Sequence, residues 1–181
     1  MTSSARYKAL TCLSNIELEK IFAASRGPAL EALAGNEFMG FNVPWFTRLL
    51  GIQKFIKVFF GPTHGVEGYN IPVRQNGIDK SWEPLPSVSA PKRFGFYLVG
   101  KVDAKSRDNH YPNAVLLNYG ASPRNKKYQV ERVLRDYLVV PDPKNAEIVL
   151  GKAYVALGSA RIATSFFVLQ RLRHSSWQPG K

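Results

Sequence analysis

The sequence predicts a mainly β protein, a single antiparallel up-and-down barrel with short helices at its N-terminal end. From about residue 55 onward, apolar and polar residues alternate with a period of two, and β-branched and aromatic residues are frequent. Gly, Pro, Asn and Asp punctuate this region at short intervals. No long helical pattern follows in the second half, which disfavours parallel βαβ winding. A closed barrel is the simplest arrangement that leaves no exposed sheet edge.

Seven segments have the alternation expected of strands. They are Lys54–Phe60, Glu67–Val73, Phe94–Val102, Ala114–Tyr119, Arg132–Val140, Glu147–Leu157 and Ile162–Arg171. Residues 79–91 contain three prolines and form the one long irregular connection. We therefore expect short connections between most neighbouring strands.

Helix signals are confined to the first third of the chain. Ser14 and Glu17 have the spacing of a capping box, and the helix that they begin should end at Gly27-Pro28. Two shorter helices fit residues 28–34 and 44–50, each with a proline at its start and a glycine after its end. We predict one domain over residues 1–181. It comprises helices and a lid segment over 14–52, the barrel over 53–172 and a flexible basic tail over 173–181.

Composition is that of one ordinary globular domain. The 181 residues are 45% hydrophobic and 12% aromatic, which is enough for a real core. No apolar run is long enough to span a bilayer as a helix, and no signal-peptide pattern follows Met1. A lone Cys12 excludes an internal disulfide. We expect a soluble, cytoplasmic protein.

Charge is the strongest deviation from average composition. The chain has 25 Lys and Arg against 13 Asp and Glu, and residues 91–181 carry a net charge of +10 against +2 for residues 1–90. This asymmetry fits solubility and weak attraction to polyanions, or a surface that contacts an anionic membrane or RNA. No basic-aromatic motif of the RNP type is present, which disfavours a nucleic-acid partner.

Five short motifs occur in the same order as in a known family. They are 35–40 (GNEFMG), 50–55 (LGIQKF), 118–120 (NYG), 150–152 (LGK) and 166–171 (FFVLQR). In this order the chain resembles bacterial GXWXG-type proteins, small calycin-like or lipocalin-like β-barrels, over residues 30–172. Phe38 stands where that family has a tryptophan. The resemblance implies a calycin-like barrel with a ligand cavity, and it brings no catalytic residues.

Motifs that would name a chemistry are absent. The sequence contains no Walker A motif, no dinucleotide-binding glycine pattern, no H-E-x-x-H and no G-x-S-x-G. The histidines, His64, His110 and His174, stand singly, without a second ligand at metal-binding spacing. We expect neither a cofactor nor a metal.

Polar side chains inside apolar strands are the best candidates for ligand contacts, because a buried polar group needs a partner. The predicted ligand-binding residues are Tyr69, Asn70, Tyr97, Asn118, Tyr119, Asp136, Lys152, Tyr154, Trp45 and Phe167. A strand tyrosine can instead be a wall residue with its hydroxyl at the surface. Convergence of several such side chains favours a cavity rather than a solid core.

Cross-strand complementarity suggests a register for the hairpin 132–157. If opposed residue numbers sum to 287, Arg135 faces Lys152, and like charges oppose each other. If they sum to 288, Asp136 faces Lys152, and Tyr154 lies on the same side of the sheet. We take this side as the interior. The Asp136–Lys152 pair is then either structural or the anchor of a ligand, with Asp136 and Tyr154 as catalytic residues if the protein is an enzyme.

The segment that contains Trp45, Phe46, Leu49 and Leu50 has helical spacing, and we expect it to cap one barrel opening or to pack on the outer wall.

Three candidate functions are consistent with these features. The first is binding of a small, largely apolar molecule such as a lipid, terpenoid, polyketide or pigment. The second is a cofactor-independent isomerase, cyclase or dehydratase that uses the same cavity. The third is a basic surface adaptor for an anionic membrane or RNA.

Overall fold

The structure, a computed structural model, describes residues 3–175 and 177. Within them, eight antiparallel strands form a closed barrel in which each strand pairs with its neighbours in sequence and β8 pairs with β1. The strands are β1 (Asn36–Asn42), β2 (Lys54–Phe60), β3 (Glu67–Pro72), β4 (Phe94–Lys101), β5 (Val115–Asn118), β6 (Leu134–Val139), β7 (Ile148–Leu157) and β8 (Ala160–His174). The predicted up-and-down barrel is confirmed.

Strand β1 is absent from the sequence prediction, which placed its residues in the lid segment 14–52. It closes the barrel by pairing with β2 on one side and with the long strand β8 on the other. Residues 36–40 are all buried, because the helices cover one face of β1 and the barrel interior covers the other. A strand that is buried on both faces shows no alternation of apolar and polar residues, so the sequence pattern did not identify β1 as a strand.

Four short α-helices accompany the barrel. They are α1 (Ala5–Thr11), α2 (Asn15–Ala24), α3 (Leu30–Leu33) and α4 (Phe46–Leu49), and a 3₁₀ turn covers Val130–Val133. The capping box of α2 is confirmed, since the Ser14 side chain accepts from the Glu17 N–H while the Glu17 carboxylate accepts from the Ser14 N–H. Apolar side chains of α1 and α2 pack with outward-facing barrel residues in one core cluster. No helix among the described residues has the length and apolar character needed to cross a membrane.

The predicted hairpin register is wrong by one residue. Opposed residues of β6 and β7 sum to 289, so that Asp136 lies opposite Ala153, and Lys152 lies opposite Tyr137. Both charges find partners outside the hairpin, Asp136 across the barrel and Lys152 on α2. Because neither charge needs a cross-strand partner, complementarity within the hairpin does not set the register.

Two ends of the barrel differ. Because successive strands run in opposite directions, the connections 43–53, 73–93, 119–133 and 158–159 all lie at one end, which we call the mouth. The other end is closed by α3, whose fully buried Leu33 packs in the interior cluster with Phe38 and Leu117.

Aromatic rings fill the interior next to this closed end. Phe59 makes edge-to-face contacts with Phe38 at 5.5 Å and with Tyr97 at 5.7 Å between ring centroids. Glycines make room for the rings: a Cβ on Gly68 would lie 2.1 Å from the Tyr97 ring. An eight-stranded barrel is just wide enough for such a filling. The expectation of a cavity in place of a solid core therefore holds only toward the mouth.

The first two residues of the predicted tail, 173–181, belong to strand β8. Strand β8 extends to His174, and Trp177 packs edge-to-face on Phe60 and Tyr69, with ring centroids 4.7 and 4.9 Å away. The rest of the predicted tail, residue 176 and residues 178–181, lies outside the described residues.

Candidate functional site

A cavity of about 440 Å³ lies inside the barrel at the mouth. This volume is in the range of sites for small molecules. Gly51 and Ile52 of the β1–β2 connection and Val130 of the β5–β6 connection form its rim. Its walls are largely apolar and include Phe55, Pro72, Phe94, Leu134, Ala153 and Phe167.

Four polar side chains from four strands or strand ends meet at the floor of the cavity. The Lys57 ammonium group donates to Asp136 Oδ2 at 2.9 Å, to the Tyr119 hydroxyl at 2.6 Å and to Asn70 Oδ1 at 3.1 Å. The Tyr119 hydroxyl donates in turn to Asp136 Oδ2 at 2.8 Å. We call these residues, Lys57, Asn70, Tyr119 and Asp136, the polar floor.

Burial controls the electrostatics of the polar floor. The side chains of Lys57 and Asp136 are 2% and 6% exposed. Desolvation lowers the pKa of Lys57, and the adjacent Asp136 carboxylate partly opposes this effect. Desolvation also raises the pKa of Tyr119 well above its ordinary value, so its hydroxyl stays a neutral donor.

One carboxylate oxygen of the polar floor has no donor among the described residues. All three ammonium hydrogens of Lys57 have acceptors, and Asp136 Oδ2 accepts from both Lys57 and Tyr119. Asp136 Oδ1 accepts no hydrogen bond from any described residue, and Asp136 lines the cavity. A ligand in the cavity can therefore donate a hydrogen bond to this oxygen.

Four of the predicted ligand-binding residues come together at the cavity: Asn70, Tyr119, Asp136 and Phe167. Tyr97 also points into the barrel, but it lies beneath the polar floor. Its hydroxyl donates to the Val58 carbonyl at 3.1 Å, and its ring lies 5.1 Å from that of Tyr119. Its role is to support the polar floor from below.

Other predicted site residues lie away from the cavity, on the outer face of the barrel. Lys152 pairs with Glu19 of α2 and donates to the Tyr111 hydroxyl, which lies 3.2 Å from the Tyr154 hydroxyl. This placement follows from the corrected register and removes Tyr154 as a partner of Asp136 in catalysis. The structure instead gives Lys152 and Tyr154 a role in fastening α2 and the β4–β5 connection to the wall.

Tyr69, Asn118 and Trp45 do not line the cavity either. Tyr69 packs outside the barrel, and Asn118 accepts from the Ala121 N–H in the turn after β5. Trp45 stands at the mouth with 74% of its surface exposed, so α4 leaves the opening unsealed and does not pack its apolar residues on the wall. The segment lies at the mouth, where the cap was predicted, but its apolar side chains do not cover the opening.

Lys57 is the site residue that the sequence prediction missed. It stands in the segment 54–60 (KFIKVFF), where every residue except Phe55 is buried. A lysine within such an apolar strand requires a buried acceptor, so its position in the sequence could have identified Lys57 as a candidate site residue. Its partner lies 79 residues away, so the sequence alone did not identify it.

Comparisons of the chain with models of protein families, with curated proteins and with solved structures gave no significant match. The resemblance to GXWXG-type proteins therefore stays a prediction. Within residues 3–175 and 177, no group of three or more His, Cys, Asp or Glu side chains is arranged to hold a metal ion.

Proposed function

We propose that the protein binds a small, largely apolar molecule in the barrel cavity, with a hydroxyl or other hydrogen-bond donor at its inner end. The observation that carries the proposal is Asp136 Oδ1, an acceptor at the floor of an apolar cavity to which no described residue donates. A donor from the ligand would satisfy this oxygen, and the walls would cover the apolar body. A barrel that encloses a ligand is also what the resemblance to GXWXG-type proteins implies.

The charge of the polar floor further narrows the ligand class. Lys57 and Asp136 compensate each other, so the floor has no net charge to offer a ligand carboxylate or phosphate. An anionic end group would also lie against Asp136, which is unfavourable in a desolvated site. A neutral alcohol or a related donor is the better fit.

Displacement of a neutral fluorophore tests this proposal. N-phenyl-1-naphthylamine would be bound to the protein and displaced by 1-decanol or by its methyl ether, which lacks the donor. We expect the alcohol to bind about ten-fold more tightly, which corresponds to about one net hydrogen bond. The preference should vanish in the double variant Lys57→Met/Asp136→Leu, which removes both charges together. Equal binding of alcohol and ether by the unaltered protein would contradict the proposed donor end.

A second candidate function is cofactor-independent acid–base catalysis in the same cavity. The observation in its favour is the buried Asp136 carboxylate at the floor of the cavity, because a carboxylate whose Oδ2 is held by Lys57 and Tyr119 can take a proton from a bound molecule at Oδ1 and return it. An isomerase, cyclase or dehydratase needs no more than this.

Native mass spectrometry of material purified from the host separates binding from catalysis. The conservative variant Asp136→Asn keeps the shape of the site but removes the base. If the protein only binds its ligand, the unaltered protein and the variant should carry the same compound. If it is a dehydratase, the variant should carry a compound that is one water heavier. If it is an isomerase or cyclase, the variant should carry an isomer of equal mass and different chromatographic retention.

A further inference from the structure

Large apolar side chains are exposed almost exclusively at the mouth of the barrel. Of the twelve exposed ones among the described residues, eleven stand on the mouth connections or on the strand ends beside them, and only Ile16 lies elsewhere. The eleven are Trp45, Phe46, Leu49, Leu50, Ile52, Leu85, Val88, Tyr128, Val130, Leu157 and Ile162. Trp45, Leu49, Tyr128 and Val130 are each at least 74% exposed. Such clustering marks an interaction surface, because isolated apolar residues would be scattered over the whole molecule.

Positive charge is concentrated at the same end. The connections 43–53, 73–93 and 119–133 carry nine Lys and Arg against three Asp and Glu, a net charge of +6. The connections at the opposite end, 61–66, 102–114 and 140–147, carry three against four, a net charge of −1. Exposed cations adjoin the apolar residues directly: Arg48 lies between Trp45 and Leu49, and Lys126 and Lys127 precede Tyr128.

This combination fits a lipid surface better than other partners. A second copy of the chain would bring two positive mouths together, which is unfavourable. A nucleic acid would use the cations and the aromatic rings, but it offers no complement to exposed aliphatic side chains such as Leu49, Leu50 and Val88. Aliphatic and tryptophan side chains flanked by Lys and Arg are the features that bind the interface of an anionic bilayer.

We propose that the mouth of the barrel docks on an anionic membrane surface. The rim residues Ile52 and Val130 are exposed and also line the cavity, so apolar surface is continuous from the docking face to the site. An apolar ligand can then pass between bilayer and cavity without crossing water. The transfer route rests on the proposed ligand-binding function. The docking rests only on the exposed residues of the mouth.

Co-sedimentation with phosphatidylcholine vesicles, with and without phosphatidylserine, tests the docking. The protein should bind the vesicles that contain phosphatidylserine and lose binding at high salt. Lys126→Glu/Lys127→Glu should weaken binding about ten-fold or more, and Trp45→Asp/Leu49→Asp should weaken it similarly. Trp45 fluorescence should shift to the blue on binding, and the shift should vanish in Trp45→Phe.

Matched variants away from the mouth provide the controls. Ile16→Asp replaces an equally exposed apolar side chain on α2, and Lys105→Glu/Arg107→Glu reverses exposed charges on the β4–β5 connection. Both should bind vesicles like the unaltered protein, and all variants should keep fluorophore binding in the cavity.

Three results would overturn the docking proposal. One is the absence of binding to anionic vesicles, or equal loss in the control variants. Another is RNA binding that needs Lys126 and Lys127 but not Trp45 and Leu49. The third is a dimer that Trp45→Asp/Leu49→Asp dissociates, without vesicle binding. Each of these results leaves cavity binding, which is measured separately, unaffected.

Discussion

Lys57 and Asp136 form an ion pair inside the barrel, with 2.9 Å between Nζ and Oδ2, although 79 residues separate them in sequence. The pair joins strand β2 to strand β6 across the interior. Removing one member of a buried ion pair leaves the other charge buried without a partner, which is strongly destabilising. Removing both charges together leaves no buried charge.

We predict that Lys57→Met lowers the free energy of unfolding by about 3–5 kcal/mol, because the Asp136 carboxylate loses its counter-ion in a desolvated site. Lys57→Met/Asp136→Leu should regain most of this loss. Urea unfolding at neutral pH measures both. Arg74→Met is the control: its pair with Glu83 is 67% and 43% exposed, and its loss should cost about 1 kcal/mol or less. Equal, small effects in Lys57→Met and Arg74→Met would show that the pair is not desolvated.

The ring of Phe167 on β8 leaves no space for a side chain at Gly151 on β7. A Cβ on Gly151 would lie 2.1 Å from this ring, so Gly151→Ala must displace the ring, which lines the cavity. We expect a loss of about 1–3 kcal/mol in unfolding free energy together with weaker fluorophore binding.

Gly100→Ala is the matched control, because a Cβ there would meet no atom within 4 Å. Phe167→Leu should relieve the crowding in the Gly151→Ala background and restore part of the stability. If Gly151→Ala and Gly100→Ala have equal stability and equal binding, the close approach of Phe167 to β7 is not as described.

Buried tyrosines predict a loss of stability at alkaline pH. Desolvation raises the pKa of Tyr97 well above 10, so above pH 10 the folded state keeps a proton that the unfolded state releases. The unfolded state then binds fewer protons, and stability falls as pH rises. Tyr97→Phe should make this fall less steep, whereas Tyr128→Phe, at an exposed position, should not change it. Urea unfolding at pH 9, 10 and 11 gives the slopes, and identical slopes in all three proteins would contradict the burial of Tyr97.

The sequence predicted the parts of the fold that have local signals. Strand β2 has the bounds that were predicted for it, and the capping box of α2 forms as expected, because alternation and capping depend on neighbouring residues. Strand β1 escaped prediction because it is buried on both faces.

The site was predictable only in part, because its geometry arises from closure of the barrel. Asp136 was identified as a buried carboxylate, but it was paired with Lys152 of the adjacent strand instead of Lys57 on the other side of the barrel. A hairpin register can be estimated from two neighbouring segments, but a contact between β2 and β6 depends on the whole strand order. For this reason Asn70, Tyr119 and Asp136 were identified as site residues, whereas Lys57 was missed and Lys152 and Tyr154 were assigned to the wrong face.

Blocking the cavity tests most directly the central claim that this barrel holds an apolar ligand inside its mouth. Ala153 lines the cavity, and Ala163 on the next strand faces outward. Titration of N-phenyl-1-naphthylamine into the unaltered protein should give saturable binding with one site. Ala153→Phe should abolish that binding, and Ala163→Phe should leave it intact, with both variants folded by circular dichroism. Unchanged binding in Ala153→Phe, or equal loss in both variants, would contradict the claim.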